Sequence, residues 1–77
     1  MSNNILKINR SKSGEDFQKH AKKYVINMCK DVRTLHITNT KSCPHSKFLY
    51  EYIDANRVED FKIGEDYYKK CKRCFPL

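Results

Sequence analysis

The chain of 77 residues reads as one small mixed α/β domain. Three observations point there. The length suits a single domain. Its 39% hydrophobic and 32% charged residues suit a packed core rather than a disordered chain. Apolar residues also switch between helical spacing and strand alternation, giving the order helix, strand, helix, strand, helix. A domain this short buries only about 60% of the surface its unfolded chain exposes. A metal, a crosslink or a partner is therefore expected to help hold it.

Residues 1–12 read as a polar arm in which Ile5, Leu6 and Ile8 can dock as a short strand, and residues 13–77 as the domain. Ser13 and Asp16 stand in the arrangement of a capping box, with Asp in place of the usual Glu. Phe17, Ala21, Tyr24, Val25, Met28 and Val32 follow at helical spacing, so an amphipathic helix is predicted over 13–32. The β-branched stretch at 33–40, RTLHITNT, alternates at Leu35 and Ile37 and predicts a strand. Pro44 suits the first position of a second helix, whose buried face is Phe48, Leu49, Tyr52 and Ile53. Residues 58–63 predict a second strand ending at Gly64, and 65–74 a last short helix. A strand–helix–strand crossover of this kind builds a parallel layer.

Sixteen Lys and Arg against nine Asp and Glu give a net charge of +7. The basic residues crowd both ends, with Lys19, Lys23 and Lys30 on the polar side of the first predicted helix. Lys69, Lys70, Lys72 and Arg73 form the second group. That distribution suits an anionic partner such as nucleic acid, and equally a solvated face. No run approaches the roughly 20 apolar residues of a membrane span, and MSNNILKINR lacks the apolar stretch of a secretory signal. A cytoplasmic, reducing setting is expected, in which four cysteines mean metal binding or thiol chemistry rather than disulfides. There is no Gly-rich phosphate loop, no carboxylate pair for acid/base work and no serine-nucleophile arrangement.

The most informative stretch is Thr40-Lys41-Ser42-Cys43-Pro44-His45-Ser46-Lys47. A cysteine where a strand gives way to a helix lies near unpaired backbone N–H groups that favour thiolate. Lys41, Lys47 and a protonated His45 add to that environment. Cys43-Pro44-His45-Ser46 resembles the Cys-Pro-x-Ser form of the motif that opens the first helix in the glutaredoxin and thioredoxin family. The resemblance covers about residues 33–63. It implies a thioredoxin-like βαβ layer, here preceded by the amphipathic helix and lacking the family's C-terminal hairpin. It also implies Cys43 as the nucleophile, Ser46 in the place of the resolving cysteine, and monothiol exchange with glutathione mixed disulfides.

Cys71-x-x-Cys74, set in KKCKRCF, supports a different chemistry. Two thiolates at this spacing form half of a zinc site. Cys43 and His45 are the first pair to complete it, with Cys29 or His36 as substitutes. A Cys43, His45, Cys71, Cys74 set would make the chain a zinc-stabilised basic nucleic-acid-binding domain. The plainer readings place Cys29 in packing, His36 in a structural role on its strand, and His20 in solvent. Tyr50, Tyr67 and Tyr68 can stack on bases, yet Tyr67 or Tyr68 is expected in the core. A third class is a small interaction, assembly or inhibitor protein with no chemistry of its own.

Overall fold

The computed structural model describes residues 7–29, 31–38, 40–41 and 43–76, with the side chains of His45 and Glu65 excepted. Within them the chain forms a five-stranded sheet and one α-helix, joined by short 3₁₀ turns. The strands are β1 (Asn9–Arg10), β2 (Tyr24–Asn27), β3 (Thr34–Ile37), β4 (Glu51–Ala55) and β5 (Lys69–Lys70), arranged β1-β4-β2-β3-β5. All neighbours are antiparallel except β3 and β5, which run parallel.

Helix α1 (Gly14–His20) begins where the capping residues place it, with the Ser13 hydroxyl accepting from the Asp16 N–H at 3.1 Å. Glu15 and Asp16 occupy the first turn and Lys19 and His20 the last, each charge favourable to the helix dipole. The helix is much shorter than the predicted 13–32, because Tyr24 to Asn27 enter the centre of the sheet instead. Val25 packs on one face beside Phe17, Leu49 and Tyr52, and Ile26 on the other beside Leu35 and Ile53. A strand covered on both faces is apolar at consecutive positions rather than alternating, and such a run imitates the edge of a helical stripe. Val32, expected on that stripe, is half exposed.

The same physics separates the second predicted helix from the structure. Pro44 opens a 3₁₀ turn (Pro44–Lys47) that stops at Phe48, where the backbone is extended at φ −162° and ψ 125°. Tyr52 and Ile53 then serve opposite faces of β4. Residues 58–63 are not a strand: Val58–Phe61 is a 3₁₀ turn that buries Phe61 and ends at Lys62 in the left-handed conformation, φ 58°. The last predicted helix is instead a 3₁₀ turn (Glu65–Tyr67), the two-residue β5 and a tight turn through Cys74. The fold is thus mixed α/β, but its one helix replaces the predicted three, and no parallel crossover joins 33–40 to 58–63.

Two apolar layers sandwich the sheet. One, under α1, joins Phe17, Val25, Leu49 and Tyr52, with the Phe17 and Tyr52 rings edge to face at 4.9 Å. The other gathers Ile26, Leu35, Ile53, Ala55, Phe61 and Tyr68, so Tyr68 is the core tyrosine. The arm contributes β1 against β4, while Ile8 stays half exposed and Ile5 and Leu6 lie outside the described residues. The Asp54 carboxylate ties this edge down by accepting from the Lys22 N–H at 2.9 Å and the Asn9 amide at 3.2 Å. Among the described residues no helix is long and apolar enough to cross a membrane.

Candidate metal centre

Strand β3 pairs its His36 with Val25 across the ladder. The imidazole thus leaves the sheet on the side opposite Leu35, since neighbouring strand residues face opposite ways. It is 5% exposed. The chain then turns through Thr40, whose hydroxyl donates to the Ile37 carbonyl at 2.7 Å. Cys43 caps the Pro44–Lys47 turn and is fully buried.

Ser46 fastens this turn. Its hydroxyl donates to the Cys43 carbonyl at 2.8 Å and accepts from the Thr40 N–H at 3.0 Å, with no exposed surface. The Ser46 side chain therefore fixes the backbone that carries Cys43. Lys41 and Lys47 are exposed, and the helix expected to follow Cys43 is a 3₁₀ turn of four residues. The His45 side chain lies outside the described residues.

The second pair of cysteines arrives on β5. The Lys69 N–H donates to the Arg33 carbonyl at 2.8 Å and the Cys71 N–H to the Leu35 carbonyl at 3.0 Å. This parallel pairing delivers Cys71 beside His36. The chain immediately turns back, with the Phe75 N–H donating to the Cys71 carbonyl at 2.9 Å, and Cys74 swings in with 7% exposure.

Four donor atoms converge as a result. Cys43 Sγ lies 3.6 Å from His36 Nδ1 and 3.5 Å from Cys71 Sγ, and Cys74 Sγ lies 3.8 Å from His36 Nδ1. All four, from His36, Cys43, Cys71 and Cys74, sit within 4.8 Å of one another. A tetrahedral zinc with bonds of about 2.3 Å to sulfur and about 2.0–2.1 Å to nitrogen needs donors separated by roughly 3.5–3.8 Å. The three close separations fall in that window, so the cluster is compatible with one zinc.

The protein environment shifts Cys71 and Cys74 in opposite directions. Burial raises the Cys71 thiol, but N–H groups of Cys74 and Arg73 and hydrogen bonds with Cys43 and Cys74 outweigh it, leaving its pKa below the ordinary value. Cys74 is pushed up to about 11, chiefly by burial and then by Cys43 and Cys71, although the Ile37 N–H opposes the shift. One thiol is thus prepared for ionisation and another holds its proton until something replaces it. A bound dication would reverse the second preference.

The sequence singled out Cys43, Cys71 and Cys74, and the structure brings these three together. Their fourth companion is His36, which the sequence offered only as a substitute. Its signal was its place on a strand leading towards Cys43, and nothing local showed that β5 would dock alongside. Cys29 stands apart from the cluster: exposed, it accepts a hydrogen bond from the Glu51 N–H at 3.1 Å. Of the basic residues, Lys69, Lys70, Lys72 and Arg73 flank the cysteines and are exposed. Lys19 pairs with Glu15 on α1, and Lys23 lies 5.4 Å over the Tyr24 ring. Lys30 lies outside the described residues. No family model, curated protein or solved structure matches the chain.

Proposed function

We propose that the protein is a zinc-stabilised basic binding domain, its metal held by His36, Cys43, Cys71 and Cys74 and its partner a nucleic acid. The observation that carries this reading is the meeting, within 4.8 Å of one another, of four donors from two distant stretches of chain, three of whose separations match a tetrahedral zinc. A four-donor set leaves no vacant position for a substrate, which is the mark of a structural rather than a catalytic zinc. Three thiolates and one neutral imidazole around Zn²⁺ carry one net negative charge. The neighbouring Lys70, Lys72 and Arg73 are suited to offset it. The net charge of +7 favours a polyanion.

This reading also accounts for the burial of Cys43, whose sulfur has no exposed surface. A nucleophile for disulfide exchange must be reached by its substrate, whereas a zinc ligand is best enclosed.

Elemental analysis of protein purified without added chelator is expected to give one zinc per chain. Cobalt substitution should give the absorption of a tetrahedral, thiolate-rich site, lost in His36→Ala and Cys71→Ser. A protein that carries no metal and keeps its full secondary structure in chelator sinks the metal reading. Binding to nucleic acid should weaken steeply with salt, and its absence at low salt sinks the partner.

A further inference from the structure

A cleft of about 420 Å3 opens beside the cysteine cluster, on the α1 side of the sheet. Its floor is the sheet itself, with Asn27 and Thr34 facing each other across β2 and β3 and His36 further along. Cys29, Leu49, Cys71, Phe48 and Tyr50 complete its lining. The extended backbone at Phe48 makes side chains alternate in direction. Leu49 therefore plugs the core at 5% exposure, while Phe48 and Tyr50 keep 40% and 56% of their surface in solvent. Large aromatics are ordinarily kept from water when a core can take them. Two that line one cleft above a polar floor suit a flat aromatic guest.

The surroundings select the chemical class of that guest. No carboxylate lines the cleft among the described residues. The nearest in sequence, Glu51, is already held by Arg10 at 2.7 Å. Lys47 precedes Phe48, Lys72 follows Cys71, and Lys12 follows Ser11, whose N–H donates to the Tyr50 carbonyl at 2.9 Å. All three lysines are exposed. Ring faces for stacking, amide and hydroxyl groups for base edges and cations for the backbone are the means by which proteins hold unpaired bases. A larger groove, about 780 Å3, runs past Lys70, Lys72 and Phe75, but its Phe75 ring is already stacked on Tyr24 at 6.3 Å, whereas Phe48 meets Phe17 edge to face at 6.4 Å.

We infer that this cleft binds single-stranded nucleic acid, with bases stacked on Phe48 and Tyr50 and the backbone drawn along Lys12, Lys47 and Lys72. The assignment rests on the nucleic-acid reading above and adds which form is bound and where. A paired base cannot offer its face to these rings, so duplex should bind only through its phosphates.

The test is fluorescence anisotropy with labelled single strands of about 10 nucleotides, ribo and deoxy, against blunt duplexes of the same sequence. The zinc-loaded protein should prefer single strands of at least one sugar type by about tenfold or more. Phe48→Ala and Tyr50→Ala should each weaken single-strand binding about 5- to 100-fold while zinc stoichiometry is unchanged. Tyr50→Phe should keep the affinity. Lys47→Gln should lower the salt slope by about one. F48W places an emitter in this tryptophan-free chain, and its fluorescence should be quenched by the strand. Equal affinity for duplex, or full affinity in both alanine variants, overturns the assignment. A metal-free protein that still shows the single-strand preference and the losses in F48A and Y50A refutes the zinc centre while supporting the cleft.

Discussion

The two ends of the sheet are held by different forces. At the β1–β4–β2 end, Phe17, Val25, Leu49 and Tyr52 close a dry layer under α1, and Asp54 staples the edge. At the β3–β5 end the elements are short. β5, like β1, has only two residues, and both of its are exposed; the turn before it is a 3₁₀ segment of three residues. Burying apolar surface yields roughly 25 cal/mol per Å2, and a two-residue exposed strand has little to bury. What gathers at that end instead is the His36, Cys43, Cys71, Cys74 cluster. Beside the Leu35 and Tyr68 contacts of the second apolar layer, polar and sulfur ligands can share the task of fixing a chain this small.

The comparison is broken most forcefully by removing the metal. Zinc binding is worth about 10–16 kcal/mol in zinc-finger peptides at neutral pH, and here it would act on the β3–β5 end. Cys74→Ser, or a chelator, should abolish hydrogen-exchange protection at 69–75 and 34–37 first, read by amide exchange. Equal loss at α1, or no loss anywhere, contradicts the division into two ends. Phe17→Ala attacks the opposite end. It should cost about 3–5 kcal/mol in urea unfolding of the zinc-loaded protein, yet leave the cobalt spectrum of the folded fraction unchanged.

Acidity sharpens the contrast. Cys74, raised to about 11 by burial, is protonated at neutral pH, so zinc must displace that proton. Affinity should therefore fall by about tenfold or more for each unit of acidification, measured by competition with a chromogenic chelator. The sign reverses in the metal-free protein. A raised thiol pKa contributes stability below its ordinary value of 9.0, lost as pH climbs through about 11. Metal-free protein should melt progressively lower across that interval. The smallest expected effect is Ser13→Ala, which removes the cap on α1. It should cost about 1 kcal/mol in the same urea assay, with no change in zinc stoichiometry.

How much of this could be read in the residues depended on how local each feature was. Ser13 and Phe17 announced α1, because a cap and its first apolar contact lie within one turn. The strand at Leu35 and Ile37 was legible from alternation. Tyr24, Val25 and Ile26 were misread as helix, since a strand buried on both faces loses the period that distinguishes it. Tyr52 and Ile53 failed for the same reason. The Cys71-x-x-Cys74 half-site was plain in its spacing, and Cys43 stood out beside Pro44. His36 was obscured because its companions arrive by the parallel pairing of β5 with β3, a long-range contact that leaves no trace near residue 36. Phe48 was expected indoors, and only the extended backbone after the 3₁₀ turn turned it outward.

The spacing of the four donors also sets an order of assembly. His36 and Cys43 are neighbours on one short stretch, as are Cys71 and Cys74 on another, but β4 lies between the two pairs. Each pair can capture an ion on its own and weakly; closing the intervening loop carries an entropy cost that grows only slowly with its length. Full-strength capture must wait until β5 has docked beside β3, so the tight complex reports that this edge of the sheet has closed. An ion acquired in this sequence acts as a latch on that edge.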